Sequence, residues 1–93
     1  MVPNFNPKEV GARLILARES LGLSQRDVCN SLGISTSNWN RFEKGHRLIG
    51  TKYAQAFSDR YGFGLTFIFA GSERDLPDEL RSKLAAHRRS NSA

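Results

Sequence analysis

The 93-residue sequence holds one cysteine, two histidines and one tryptophan. A lone cysteine excludes an internal disulfide, and a reducing, cytoplasmic setting fits that usage. The few His and Cys residues have no metal-ligand spacing. The chain also lacks an activated nucleophile, carboxylates paired in a cleft pattern and a phosphate loop, so neither an enzyme nor a cofactor is expected. No apolar run approaches the ~20 residues of a membrane span, and the N-terminus lacks the basic and apolar regions of a signal peptide. Acid is scarce in two places. Residues 36–52 carry Arg41, Lys44, Arg47 and Lys52 against Glu43 alone, and residues 81–93 carry Arg81, Lys83, Arg88 and Arg89 against no acid.

What is present describes one modest domain, with 39% apolar and 25% charged residues and a formal net charge of +5. A chain of this length buries a single small core. A basic excess gathered in patches favours an anionic partner such as nucleic acid. The segment 73–79 is the exception, with Glu73, Asp75, Asp78 and Glu79 against Arg74.

Start and stop signals divide the chain into helices. Asn6 is an N-cap, Pro7 the first helical residue and Glu9 a capping-box partner, while Phe5 and Val10 hold the positions of a hydrophobic staple. Val10, Leu14, Ala17 and Leu21 follow at helical spacing, and Gly22 stops the helix. "SQRD" from Ser24 is a second capping box, opening a two-turn helix with Val28, Cys29 and Leu32 as its apolar face and Gly33 as its stop. Ser35 caps a third helix, with Trp39 and Phe42 on one face and Gly45 at its end. A fourth helix fits residues 51–61. "GLTFIFAG" fits a short fifth helix or a buried strand, and the absence of any partner strand favours the helix. Residues 77–87 form a sixth, amphipathic helix with Leu76, Leu80 and Leu84 four apart, followed by "RRSNSA" as a basic, disordered tail. The fold class is therefore all-α, with residues 1–71 as a five-helix unit and residues 72–93 as an amphipathic helix and flexible basic tail.

The second and third helices meet across a very short connection at Gly33, which can take the left-handed conformation that such a turn needs. The large apolar residues Val28, Leu32, Ile34, Trp39 and Phe42 fall where the two helices and their turn converge, the pattern of a helix-turn-helix. "GARLILARESLGLSQRDVCNSLGISTSNWNRFEKG" closely resembles the helix-turn-helix domain of the Cro and phage-repressor (XRE-like) type, on "LGLSQ", "LGIS" and Trp-x-x-aromatic-Glu-Lys-Gly. "YGFGLTFIFAG" resembles the last helix of that family's domain, and the similarity covers residues 9 to 71. The chain departs from the family pattern at Cys29, at "TFIF" and in the loop "HRLIG", which lacks the usual proline.

With Trp39 and Phe42 turned inward, Thr36, Ser37, Asn40, Arg41 and Lys44 point outward or toward the helix N-terminus. The resemblance implies that the third helix enters the DNA major groove. Thr36, Ser37, Asn40 and Arg41 are then the base readers: arginine suits guanine, asparagine pairs bidentately with adenine, and hydroxyls donate, accept or touch a thymine methyl. By the resemblance, Gln25 reaches a phosphate and braces residue 36. Lys44, His46, Arg47 and Lys52 line the DNA backbone, and Arg18 with Glu43 forms a structural pair locking the third helix to the first. The implied function is a sequence-specific, repressor-like regulator binding double-stranded DNA as a homodimer on a palindromic operator, paired through the fifth helix or the leucine stripe, a stripe equally suited to folding back on the monomer. The alternative is an antitoxin-like module that also holds a protein partner through residues 72–93.

Overall fold

The computed structural model describes residues 5–91, and the regular structure among them is entirely helical. In chain order the elements are α1 (Pro7–Ser20), α2 (Gln25–Leu32), α3 (Thr36–Glu43), α4 (Thr51–Tyr61), α5 (Leu65–Ala70) and α6 (Asp78–Asn91). Local chemistry sets most boundaries. The Ser24–Asp27 capping box closes reciprocally, at 2.9 Å and 3.0 Å. The Ser24 amide, and after it the Ser24 hydroxyl, hold the Asp27 carboxyl below its usual range. At the head of α1 the expected box with Glu9 is replaced by a simpler cap, in which Asn6 Oδ1 accepts from the Lys8 amide at 2.9 Å. Phe5 is still 37% exposed, and its ring centroid lies 5.2 Å from that of Phe69.

A single core joins the helices. Val10, Leu14 and Ala17 of α1 are buried with Trp39, Phe42, Phe57, Phe63, Phe67 and Ile68. The "TFIF" segment is helical. Its Phe67 and Ile68 point into the core, and Arg13 donates to the carbonyls of Ile68 and Phe69 at 3.1 Å each, closing the end of α5.

α6 decides between the two readings of the leucine stripe and runs further than the sequence-based expectation. Leu76, Leu80 and Leu84 are core residues, at most 8% exposed, so the stripe folds back on the molecule and is not available for pairing between chains. The amphipathic pattern shows that a helix needs an apolar partner but not which one; α1 supplies it here, packing against α6. The helix also continues through Arg88 and Arg89, which the sequence assigns to a tail. Arg88 donates to Glu73 through both terminal nitrogens, at 3.2 Å and 2.8 Å, and His87 Nε2 lies 3.3 Å from Glu19 Oε1. The last two residues of the tail lie outside the described residues. No helix among the described residues is long and apolar enough to cross a membrane.

Candidate nucleic-acid interface

The turn between α2 and α3 is built from hydrogen bonds to one carbonyl. Gly33, at φ 68°, and Ile34 both donate to Cys29 O, at 2.9 Å and 3.1 Å. A side chain at that left-handed position would be strained, which explains the glycine. Ser35 then caps α3, its Oγ accepting from the Asn38 amide at 3.1 Å.

α3 has weak intrinsic propensity and is held by what it buries. Trp39 is fully buried, stacked on Phe57 at 5.6 Å and edge-on to Phe42 at 6.1 Å. Its indole N–H donates to Glu43 Oε2 at 2.7 Å. Glu43 is 4% exposed. Burial of a carboxylate is costly unless its lone pairs are satisfied. Arg18 supplies two donors, Nε to Oε2 at 2.7 Å and Nη2 to Oε1 at 3.1 Å, and Gln25 Nε2 donates to Oε1 at 2.7 Å. Arg18 also donates to Leu23 O at 2.9 Å, so one guanidinium ties α1, the α1–α2 turn and α3 together.

α1 reaches α3 closely because position 11 is glycine. A Cβ there would collide with the backbone carbonyls of Phe42 and Glu43. The same approach brings Lys8 against Gly45, where a Cβ would meet the Lys8 Cα at 2.7 Å.

The outward surface of α3 is polar and cationic. Thr36, Ser37, Arg41 and Lys44 are exposed, and so are His46, Arg47 and Lys52 beyond its end. Glu43, the only acid between positions 36 and 52, is buried against Arg18, so this segment presents its cations with no exposed carboxylate among them. A groove of about 320 Å³ opens between α3 and α4, lined by Asn38, Phe42, Arg47, Lys52 and Tyr53 among others. Lys52 Nζ lies 5.5 Å from the centre of the Tyr53 ring.

Two expected residues are placed differently. Asn40 is half-buried, and its Oδ1 accepts from Gln25 Nε2 at 3.2 Å. Gln25 therefore braces Asn40 and not Thr36, because Glu43 draws its amide toward the last turns of α3. An amide nitrogen has two hydrogens, and those of Gln25 have Glu43 and Asn40 as acceptors, so a phosphate at the start of α2 would meet its backbone N–H groups rather than this side-chain amide.

Sequence reasoning missed two residues of this surface. Lys8 is exposed beside the end of α3, brought there by the Gly45 approach. Asn38 is exposed on the groove between α3 and α4. For Lys8 no local signal exists, since it adjoins α3 only through space. For Asn38 the signal is its position one residue before inward-facing Trp39.

The sequence is similar to those of known proteins. The model of the helix-turn-helix domain family matches residues 9–66. An uncharacterized helix-turn-helix-type transcriptional regulator of Sinorhizobium medicae is 33% identical over 73 residues, covering 78% of this chain and 52% of its own length. A regulator of the same description from Rhizobium meliloti aligns with the same identity and coverage. The chain thus spans about half the length of these curated relatives. No solved structure matches it significantly. The turn at Gly33, the capped and core-anchored α3 and the family match lead to one conclusion: the chain belongs to the helix-turn-helix domain family.

Proposed function

We propose that the chain is a sequence-specific double-stranded DNA-binding regulator of transcription, with α3 as its base-reading helix. The observation that carries this reading is the division of α3 into two faces. One is fixed by Trp39, Phe42 and a carboxylate with four donors; the other exposes Thr36, Ser37, Arg41 and Lys44. A rigid helix with short polar residues and one arginine outward fits the major groove, where each base pair shows a distinct donor and acceptor pattern. Arg41 reads guanine, and Thr36 and Ser37 make shorter contacts. Lys44, His46, Arg47, Lys52 and the α2 N-terminus at Gln25 hold the backbone, and these contacts set position and affinity rather than sequence. Asn38 and Lys8 extend that backbone track.

One such domain reads few base pairs. A homodimer on a palindromic operator, with recognition helices ~34 Å apart, supplies the remaining specificity. A dimer covering the operator acts in a repressor-like manner. The burial of Leu76, Leu80 and Leu84 withdraws that apolar stripe both from pairing between two chains and from a protein partner held by residues 72–93.

Binding-site selection from random duplex DNA tests the proposal. A palindrome is expected. Arg41→Ala should relax the preference at one position per half-site, at a cost of about 1–3 kcal/mol there. Arg47→Ala should weaken all sequences alike and reduce the salt slope by about 1. Recovery of no consensus, or variants that bind the selected site like the parent chain, would overturn it.

A further inference from the structure

The Gln25 amide lies between two groups on α3 and has a defined polarity. A carboxylate only accepts hydrogen bonds. The atom 2.7 Å from Glu43 Oε1 must therefore be the Gln25 nitrogen, and the assignment follows from chemistry. Glu43 itself cannot turn away, because Arg18 and Trp39 also hold it. The same nitrogen donates to the next group along, at 3.2 Å, so that group must be the Asn40 oxygen. A chain of polarity thus runs from the buried carboxylate through Gln25 to the half-buried Asn40. It leaves the Asn40 Nδ2, with its two N–H donors, as the end of the amide not turned to α2.

This matters for base choice. Adenine shows an N7 acceptor beside an N6 donor, and asparagine pairs with it by offering nitrogen and oxygen side by side. Guanine shows two acceptors, N7 and O6. An amide whose oxygen faces α2 matches the second pattern and sets donor against donor in the first. We propose that Gln25 is a positioning residue that holds the Asn40 amide nitrogen toward the groove, so that Asn40 reads guanine and rejects adenine. The proposal rests on α3 being the base-reading helix, and it refines the adenine pairing that asparagine would otherwise suggest.

Site selection by four proteins tests it: the parent chain, Asn40→Ala, Gln25→Ala and Asn40→Asp. The position whose preference Asn40→Ala erases is the one Asn40 reads. There the parent should favour guanine over adenine by about tenfold or more. In Gln25→Ala the amide is free to turn, and the ratio should fall to within about threefold with every other position unchanged. Arg18 and Trp39 still satisfy Glu43 in that variant, so its fold should survive, as far-ultraviolet circular dichroism would verify. Asn40→Asp keeps an acceptor for Gln25 but turns an acceptor outward, so the preference should move from guanine to cytosine. This arm decides the matter if Gln25→Ala does not fold. Adenine at that position in the parent, or an unchanged guanine preference in either Gln25→Ala or Asn40→Asp, overturns the proposal. If Asn40→Ala alters no position while a consensus is still recovered, this inference falls and the DNA reading stands. If the parent selects no sequence, the DNA reading itself has failed.

Discussion

At the scale of single residues, Glu43 and Cys29 show opposite ways of being buried. Glu43 is a polar group matched by donors from Arg18, Gln25 and Trp39. Replacing it by leucine leaves the Arg18 guanidinium, itself largely buried, with only the exposed Glu19 carboxylate 4.0 Å away. Loss of one partner of a buried pair costs about 3–5 kcal/mol, and Glu43→Leu should show a loss of that size in urea unfolding. Cys29 is a small apolar filler at the α2–α3 crossing, 3% exposed. Burial and the nearby Glu43 push its thiol above the usual range, so thiolate is scarcer than in a free cysteine. Alkylation at neutral pH should be slow in the folded chain and become fast only on unfolding. Rapid labelling of the native protein would contradict this.

At the scale of elements, helix starts and stops were readable because capping is local. Ser24, Ser35 and Gly33 act within three or four residues of themselves, and their roles in the structure follow from that short range. The partner of each face was not readable. Gly11 looks like a weak point in α1, yet it is where α1 meets the carbonyls ending α3. The Gln25–Asn40 hydrogen bond joins residues fifteen apart, and the same Gln25 nitrogen holds a carboxylate that sequence alone assigned only to Arg18. The site was thus legible as a set of positions on α3, while the couplings between them and the placement of Lys8 were not. Gly11→Ala provides a test at this scale. Overpacking costs about 1–3 kcal/mol, and here the obstacle is backbone, which cannot rotate away. Thermal unfolding should show a loss at the upper end of that range, although alanine is the better helix former.

At the scale of the whole molecule, the end of the chain is part of what folds. Leu76, Leu80 and Leu84 are buried, and each such side chain contributes about 1.5–3 kcal/mol. A small domain has only about 5–15 kcal/mol in total. A chain ending at Gly71 should therefore be largely unfolded by circular dichroism at 25 °C. The Glu73–Arg88 pair fastens the same region from outside. Hydrogen bonds from Arg88 hold the Glu73 carboxyl below its ordinary value of 4.5, and Glu73 raises Arg88. A carboxyl depressed on folding adds stability above its unfolded value, and that stability is lost as pH falls through the folded one. The acid limb of stability, below about pH 4.5, should be shallower in Glu73→Gln than in the parent chain. The pair is partly exposed, so the effect at neutral pH should be small and reduced by salt.

The indole of Trp39 adds a practical consequence. It is the only tryptophan in the sequence, it is fully buried, and its N–H ends on the carboxylate that also orients Gln25. Its fluorescence is thus a built-in gauge of how firmly α3 is seated. An emission maximum that stays blue-shifted on titration with duplex DNA would mean that the helix docks as a rigid body. A shift to the red would mean that recognition loosens the anchor, and this could be followed without attaching any label.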